Sequence, residues 1–239
     1  METSKQSIPS YKLQFLQTCL EEKVLTFGDY TLKSGRQSPY FFNAGLFYRA
    51  DLVRSISSAF AQTLHVFLQK NEIQFDILFG PAYKGIPLAV ATAARLADLD
   101  TEIYGRISYS FNRKEAKDHG EGGTVVGAPL QGKKVVIVDD VITAGTASQE
   151  AINMIRQQGA EVVALIIALD RMEIVEAAGG DAAGPTSAVK RIEMTNSIPV
   201  VPILNLDDII NGLTGTGSPE QVERLEIYRA RYGIPSAVR

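Results

Sequence analysis

Two adjacent carboxylates, Asp139 and Asp140, stand directly after the apolar run Val135-Val136-Ile137-Val138 and just ahead of Thr143-Ala144-Gly145-Thr146. Four β-branched residues in succession specify a buried strand, so both acids fall where that strand ends. Neighbouring carboxylates at a buried edge repel each other and lose hydration, and something must compensate them. Sugar hydroxyls or a hydrated metal would serve. The Thr-Ala-Gly-Thr segment then opens a helix. Its small residues let the backbone curl around a ligand, and its exposed N–H groups with two hydroxyls make an anion cradle. Acids for hydroxyls beside a cradle for phosphate describe a sugar-phosphate site at the carboxyl end of a strand.

Other charged positions fit the same theme. Lys84 follows a strand end and the Gly80-Pro81 turn. A lysine at a helix start opposes the helix dipole, which favours an anionic partner. Asn112–Thr124 reads NRKEAKDHGEGGT and carries Arg113, Lys114, Lys117 and His119. Closed by glycines, it reads as a mobile loop or hairpin; a charge run of this kind is more commonly a solvated loop, but it would also suit a lid over an anion. His65 and His119 lie far apart, and neither CxxC nor HExxH occurs, so a standard zinc site is not expected. His65 is expected at solvent or a subunit surface. Gly132-Lys133-Lys134 lacks the hydroxyl and upstream glycine of a phosphate-binding P-loop, and Gly215-Thr216-Gly217 does not complete a dinucleotide fingerprint. No GxSxG elbow is present.

These groups need a frame to position them. The chain has 239 residues, 45% of them hydrophobic, and a net charge of −3. That supports a real core and argues against a strongly basic nucleic-acid surface. The longest apolar run, Val162 to Leu169, has eight residues, whereas a membrane span needs about 18. The N-terminus has no apolar signal core, and the single cysteine, Cys19, is expected to pack a helix. Helices are expected over 10–23, 51–69, 85–99 and 146–158, with a final charged helix from Ser218-Pro219-Glu220 to about Tyr232. Strands are expected over 75–80, 103–112, 134–138, 162–169 and 200–204, the last at an edge because of Pro199 and Pro202. Thr146 and Gln149 fit a weak capping box. The strand–helix–strand order around 134–169 predicts a parallel pair.

The string VVIVDDVITAGTA resembles the phosphoribosyl-diphosphate (PRPP) motif of the type I phosphoribosyltransferases. Within that family, TLKSGRQSPYFFNAG from Thr31, GPAYKGIP from Gly80, FNRKEAKDHGEGG from Phe111 and Leu169-Asp170-Arg171 resemble the orotate-specific members. The five blocks run from 31 to 171 in the family's order. The resemblance implies an α/β fold with a central parallel sheet flanked by helices and an N-terminal hood. A single domain would comprise helix and hood over 1–50, a parallel core over 51–210 with a mobile lid at 111–124, and a C-terminal helix over 211–239. The Gly179–Ser187 stretch looks like an insertion, a small-residue surface loop without a catalytic role.

The implied reaction joins orotate N1 to ribose C1 and expels pyrophosphate, as in UMP biosynthesis. By resemblance, Asp139 and Asp140 would hold the 2′- and 3′-hydroxyls, and the segment Val141, Ile142, Thr143, Ala144, Gly145, Thr146 and Ala147 the 5′-phosphate. Thr143 would also lie near orotate. Tyr83 and Lys84 would meet the pyrophosphate, and Arg113, Lys114, Lys117 and His119 would close on it from a homodimer partner's lid. Lys33 would reach both substrates, Phe41 and Phe42 would hood the orotate ring, and Arg171 would hold its carboxylate. Magnesium would ride on PRPP oxygens without direct protein ligands. No nucleic-acid or membrane partner is expected, and the location would be cytoplasmic. A non-catalytic PRPP-binding regulator and a purine-specific transferase are the competing readings.

Overall fold

In a computed structural model, residues 8–32, 34–117, 123–175, 186–214 and 217–234 are described. Helix α1 (Ser10–Glu21) leads into the antiparallel pair β1 (Leu25–Thr31) and β2 (Gln37–Phe42), a 3-10 turn at Ala44–Leu46 and the long helix α2 (Ala50–Asn71). Next come β3 (Ile77–Gly80), α3 (Gly85–Leu99), α4 (Thr101–Tyr104), β4 (Ser108–Lys117) and β5 (Gly123–Gly127). Strand β6 (Lys134–Val141), α5 (Thr146–Gln157) and β7 (Glu161–Asp170) follow. The chain ends with β8 (Ile174–Val175), β9 (Thr186–Ser187), α6 (Ala188–Asn196), β10 (Val200–Asn205), α7 (Leu206–Leu213) and α8 (Pro219–Tyr232).

Six strands form the central sheet in the order β10-β7-β6-β3-β4-β5. Its pairs are parallel except β4–β5, which is antiparallel. Strand β6 shows why the sheet is buried on both faces. Val136 and Val138 point to one side and join Phe60 and Leu64 of α2 and Leu88 and Leu96 of α3. Val135 and Ile137 point to the other and join Ile152 and Ile155 of α5 and Ile192 of α6. Period-2 alternation in an all-apolar strand therefore fills two cores at once. Strand β10 lies at the sheet edge, as its prolines require. Cys19 is fully buried on α1.

Several expectations are corrected. Ile103 and Tyr104 belong to α4, not to a strand, because the Asp100 side chain accepts from the Ile103 N–H and caps a helical turn. The strand starts at Ser108. Strand β6 runs through both acids to Val141 instead of ending at Val138. At α5 the cap is Gly145 in the left-handed region (φ 84°), with no side-chain capping bond, so the Thr146–Gln149 box does not form. A capping box does form at α7, between Asn205 and Asp208. His65 is half-buried, with Nδ1 3.0 Å from the Tyr104 hydroxyl, because α4 folds back beside α2. The expected Gly179–Ser187 surface loop ends in buried residues: Thr186 and Ser187 pair with β8, and Ser187 caps α6. The rest of that stretch lies outside the described residues. Helices α6 and α7 were not anticipated.

Candidate active site

The carboxyl end of β6 carries the acids. Asp139 Oδ1 accepts the Asp140 N–H at 2.8 Å, and Asp140 Oδ1 accepts the Val141 N–H at 2.7 Å. The second Asp140 oxygen takes the Lys84 ammonium at 3.0 Å. Burial first, then the neighbouring Asp140 charge, pushes the Asp139 carboxyl from its ordinary 3.8 up to about 6. Ile142 turns its side chain into the core, so only its backbone is free to face a ligand. Thr143, Ala144, Thr146 and Ala147 are exposed. Gly145 makes the bend. With no side chain claiming them, the first-turn N–H groups of α5 are open to an anion.

The Gly80–Gly85 turn brings Lys84 to this place. A Cβ on Gly80 would lie 2.2 Å from the Gly85 carbonyl oxygen, and one on Gly85 would lie 2.9 Å from the Val138 carbonyl oxygen. Only glycines allow the turn to press against β6 this closely. Asn112 of β4 accepts the Ala82 N–H at 2.8 Å, and the Ala82–Tyr83 peptide is cis. Tyr83 stays largely exposed at 71%. Asn112 was not singled out from the sequence. A carboxamide in the lid stretch gives no local signal that it braces a turn 30 residues away.

The remaining candidates sit on three other segments. On β2, Phe41 is exposed and tilts against Tyr30, ring centroids 5.5 Å apart, while Phe42 is buried against Phe47 at 6.2 Å. The pair thus splits between surface and core, as strand alternation dictates. Lys33 and His119 lie outside the described residues. On β4, Arg113 is half-buried, Lys114 is exposed, and Lys117 ends the strand opposite Gly123. Just beyond β7, Arg171 is mostly buried. Its Nε donates to Glu173 at 2.7 Å and its Nη2 to Ser38 at 3.0 Å. Glu173, Ser38, Tyr40 and Tyr228, which surround this arginine, were not expected. Two surface clefts, one along α1 and α2 beside Tyr11 and Ser58, the other near Phe75 and Ile103, contain none of the candidate residues. Among the described residues no helix is long and apolar enough to cross a membrane.

Comparison with known proteins follows this geometry. The phosphoribosyl transferase domain model matches residues 55–180. The orotate phosphoribosyltransferase of Neurospora crassa is 55% identical over 227 residues, 95% of this chain and 97% of that protein. That of Bordetella bronchiseptica is 51% identical, covering 92% of this chain and 96% of that one. The crystal structure of the Francisella tularensis orotate phosphoribosyltransferase superposes with a TM-score of 0.77 at 38% identity, covering 92% of this chain and 100% of that chain. The mostly parallel sheet flanked by helices is the type I phosphoribosyltransferase fold, and the chain belongs to the orotate phosphoribosyltransferase family.

Proposed function

We propose that this chain transfers the 5-phosphoribosyl group from PRPP to N1 of orotate, giving orotidine 5′-phosphate and pyrophosphate in pyrimidine biosynthesis. The observation that carries the chemistry is the Asp139–Asp140 pair at a strand end, followed after the short bend 142–145 by a helix whose N-cap, Gly145, makes no side-chain capping bond. A phosphorylated pentose presents vicinal hydroxyls to the acids and a dianion to the cradle.

In this reading Asp139 and Asp140 accept from the 2′- and 3′-hydroxyls, and the Thr143–Ala147 backbone donates to the 5′-phosphate. As the C1–O bond to pyrophosphate breaks, positive charge grows on the ribose and negative charge on the leaving group. The N1–C1 bond forms and the N1 proton is released. The paired carboxylates offset the first charge; Lys84, with Tyr83 beside it, and then Arg113, Lys114, Lys117 and His119 meet the second. In the free chain Lys84 is already held at this mouth by Asp140. The orotate ring lies against Phe41 on the hood, whose Phe42 anchors that strand in the core. Thr143 and Lys33 complete the ring's surroundings, and Arg171 takes its carboxylate.

Magnesium suits this donor set through the substrate. Asp139 and Asp140 offer hard oxygens beside the ribose, and among the described residues no group of three or more potential ligands gathers. When bound on PRPP oxygens, the ion would neutralise pyrophosphate charge. A homodimer whose partner lends the lid, acting in the cytoplasm, completes the reading.

Three measurements check it. With PRPP and magnesium, orotate absorbance should fall while adenine and hypoxanthine remain unchanged; turnover of a purine alone would overturn the substrate. Lys117→Ala should reduce kcat far more than orotate affinity, because pyrophosphate charge peaks in the transition state. Mixing it with Asp140→Asn chains should restore activity by subunit exchange, and no recovery would remove the shared lid.

A fourth measurement concerns Asp139. Its pKa is near 3.8 unfolded and about 6 folded, so the folded chain holds the proton more tightly, and stability is lost as pH rises through that window. Asp139→Asn should therefore stabilise the free protein at pH 8 by up to about 3 kcal/mol. The gain should shrink towards pH 4, while PRPP binding by calorimetry weakens. A pH-independent or negative change in melting temperature would contradict the ionisation assigned here.

A further inference from the structure

The surroundings of Arg171 are more elaborate than charge compensation needs. Glu173 Oε1 accepts from Arg171 Nε and from the Tyr228 hydroxyl, both at 2.7 Å. The Tyr228 hydroxyl in turn lies 3.5 Å from Arg171 Nη2. Below, the guanidinium carbon sits 4.2 Å from the centroid of the Tyr40 ring, which is wholly buried on β2. Tyr40 meets Tyr228 edge-to-face at 6.0 Å. Ser38 bonds both the Arg171 Nη2 and the Tyr40 carbonyl oxygen, at 3.0 and 2.7 Å. The partners therefore come from the hood, the turn after β7 and the last helix, α8.

Such a cage has a physical consequence. A free arginine side chain has substantial rotamer entropy to lose when it fixes a ligand. Here one edge is pinned by Glu173, one face by Tyr40 and one amine by Ser38, so that loss has already occurred before binding. Glu173 does not cancel the site's charge, because Arg36 also approaches it, at 3.8 Å. Two guanidiniums thus share one carboxylate, and this group of three keeps a net positive charge for an incoming anion. Burial, then the bond to Glu173, pushes the Tyr228 phenol up to about 12, so it stays a donor at neutral pH.

We propose that Glu173 and Tyr228 are positioning residues for the orotate carboxylate. They lock Arg171 in its binding rotamer and make the C-terminal helix part of the base-recognition site. The inference rests on the reading that Arg171 receives that carboxylate.

Steady-state kinetics on the full-length chain tests it, varying orotate and PRPP separately. Glu173→Gln keeps the shape and loses the charge, and Tyr228→Phe keeps the ring and loses the hydroxyl. Each should raise the orotate KM about tenfold, the scale of one lost charge-assisted hydrogen bond. The PRPP KM should stay within about twofold, since the phosphate cradle is on another segment. In an Arg171→Ala background neither change should raise the orotate KM further. Equal rises in both KM values would reduce the pair to a general structural role and overturn the proposal. An unchanged or lowered orotate KM in both variants would also overturn it, the lowered value marking Glu173 as a competitor for Arg171. Arg171→Ala alone separates the two levels. If it leaves the orotate KM unchanged, the carboxylate assignment itself fails. If it raises that KM while the two variants do not, only the positioning role fails.

Discussion

Everything at this site follows from placing two carboxylates side by side at the end of a strand that is apolar on both faces. Water cannot hydrate them fully there, and the protein answers with its own backbone: each acid accepts the N–H of the next residue. One lysine adds a charge from the neighbouring turn. That compensation is partial: burial and the neighbouring Asp140 charge still hold the Asp139 carboxyl above its ordinary range. A site left under-compensated in the free chain has affinity to spend on a polyhydroxylated ligand. The Gly80–Gly85 contact is part of the same constraint, because Lys84 reaches Asp140 only if the turn lies flat on β6.

The β1–β2 pair is a second, separate layer of construction. It is a two-stranded ribbon outside the main sheet, and a ribbon of that size is marginal by itself. Tyr40 and Phe42 anchor it in the core while Phe41 stays exposed. The Arg171 cage then ties the ribbon to the turn after β7 and to α8. In the proposed reading, recognition of a flat, charged base depends on these long-range contacts, whereas recognition of the sugar phosphate stays within one strand, one turn and one helix start.

That division explains what could be read in the residues alone. The strand, acids and helix start of the proposed sugar-phosphate site were legible as local structure because β6 and Thr143–Ala147 are contiguous in the chain. Helix Gly85–Leu99 was placed to the residue from its alanine-rich run between Gly85 and Leu99. The opposite fates of Phe41 and Phe42 follow from period-2 alternation. Where two local rules competed, the reading failed. Gly145 in the left-handed region displaced the Thr146 cap, and Asp100 made a helical turn out of β-prone Ile103 and Tyr104. The Arg171 cage was invisible for a different reason: Ser38 and Tyr228 are 133 and 57 residues from it in sequence. No spacing rule connects such positions; only the finished sheet brings them together.

A crystal structure of the chain with PRPP and magnesium tests the account most directly. The ribose hydroxyls should lie within hydrogen-bond reach of Asp139 and Asp140, with the 5′-phosphate on the backbone N–H groups of Thr143–Ala147. A sugar phosphate bound elsewhere, with that helix start bare, would contradict it.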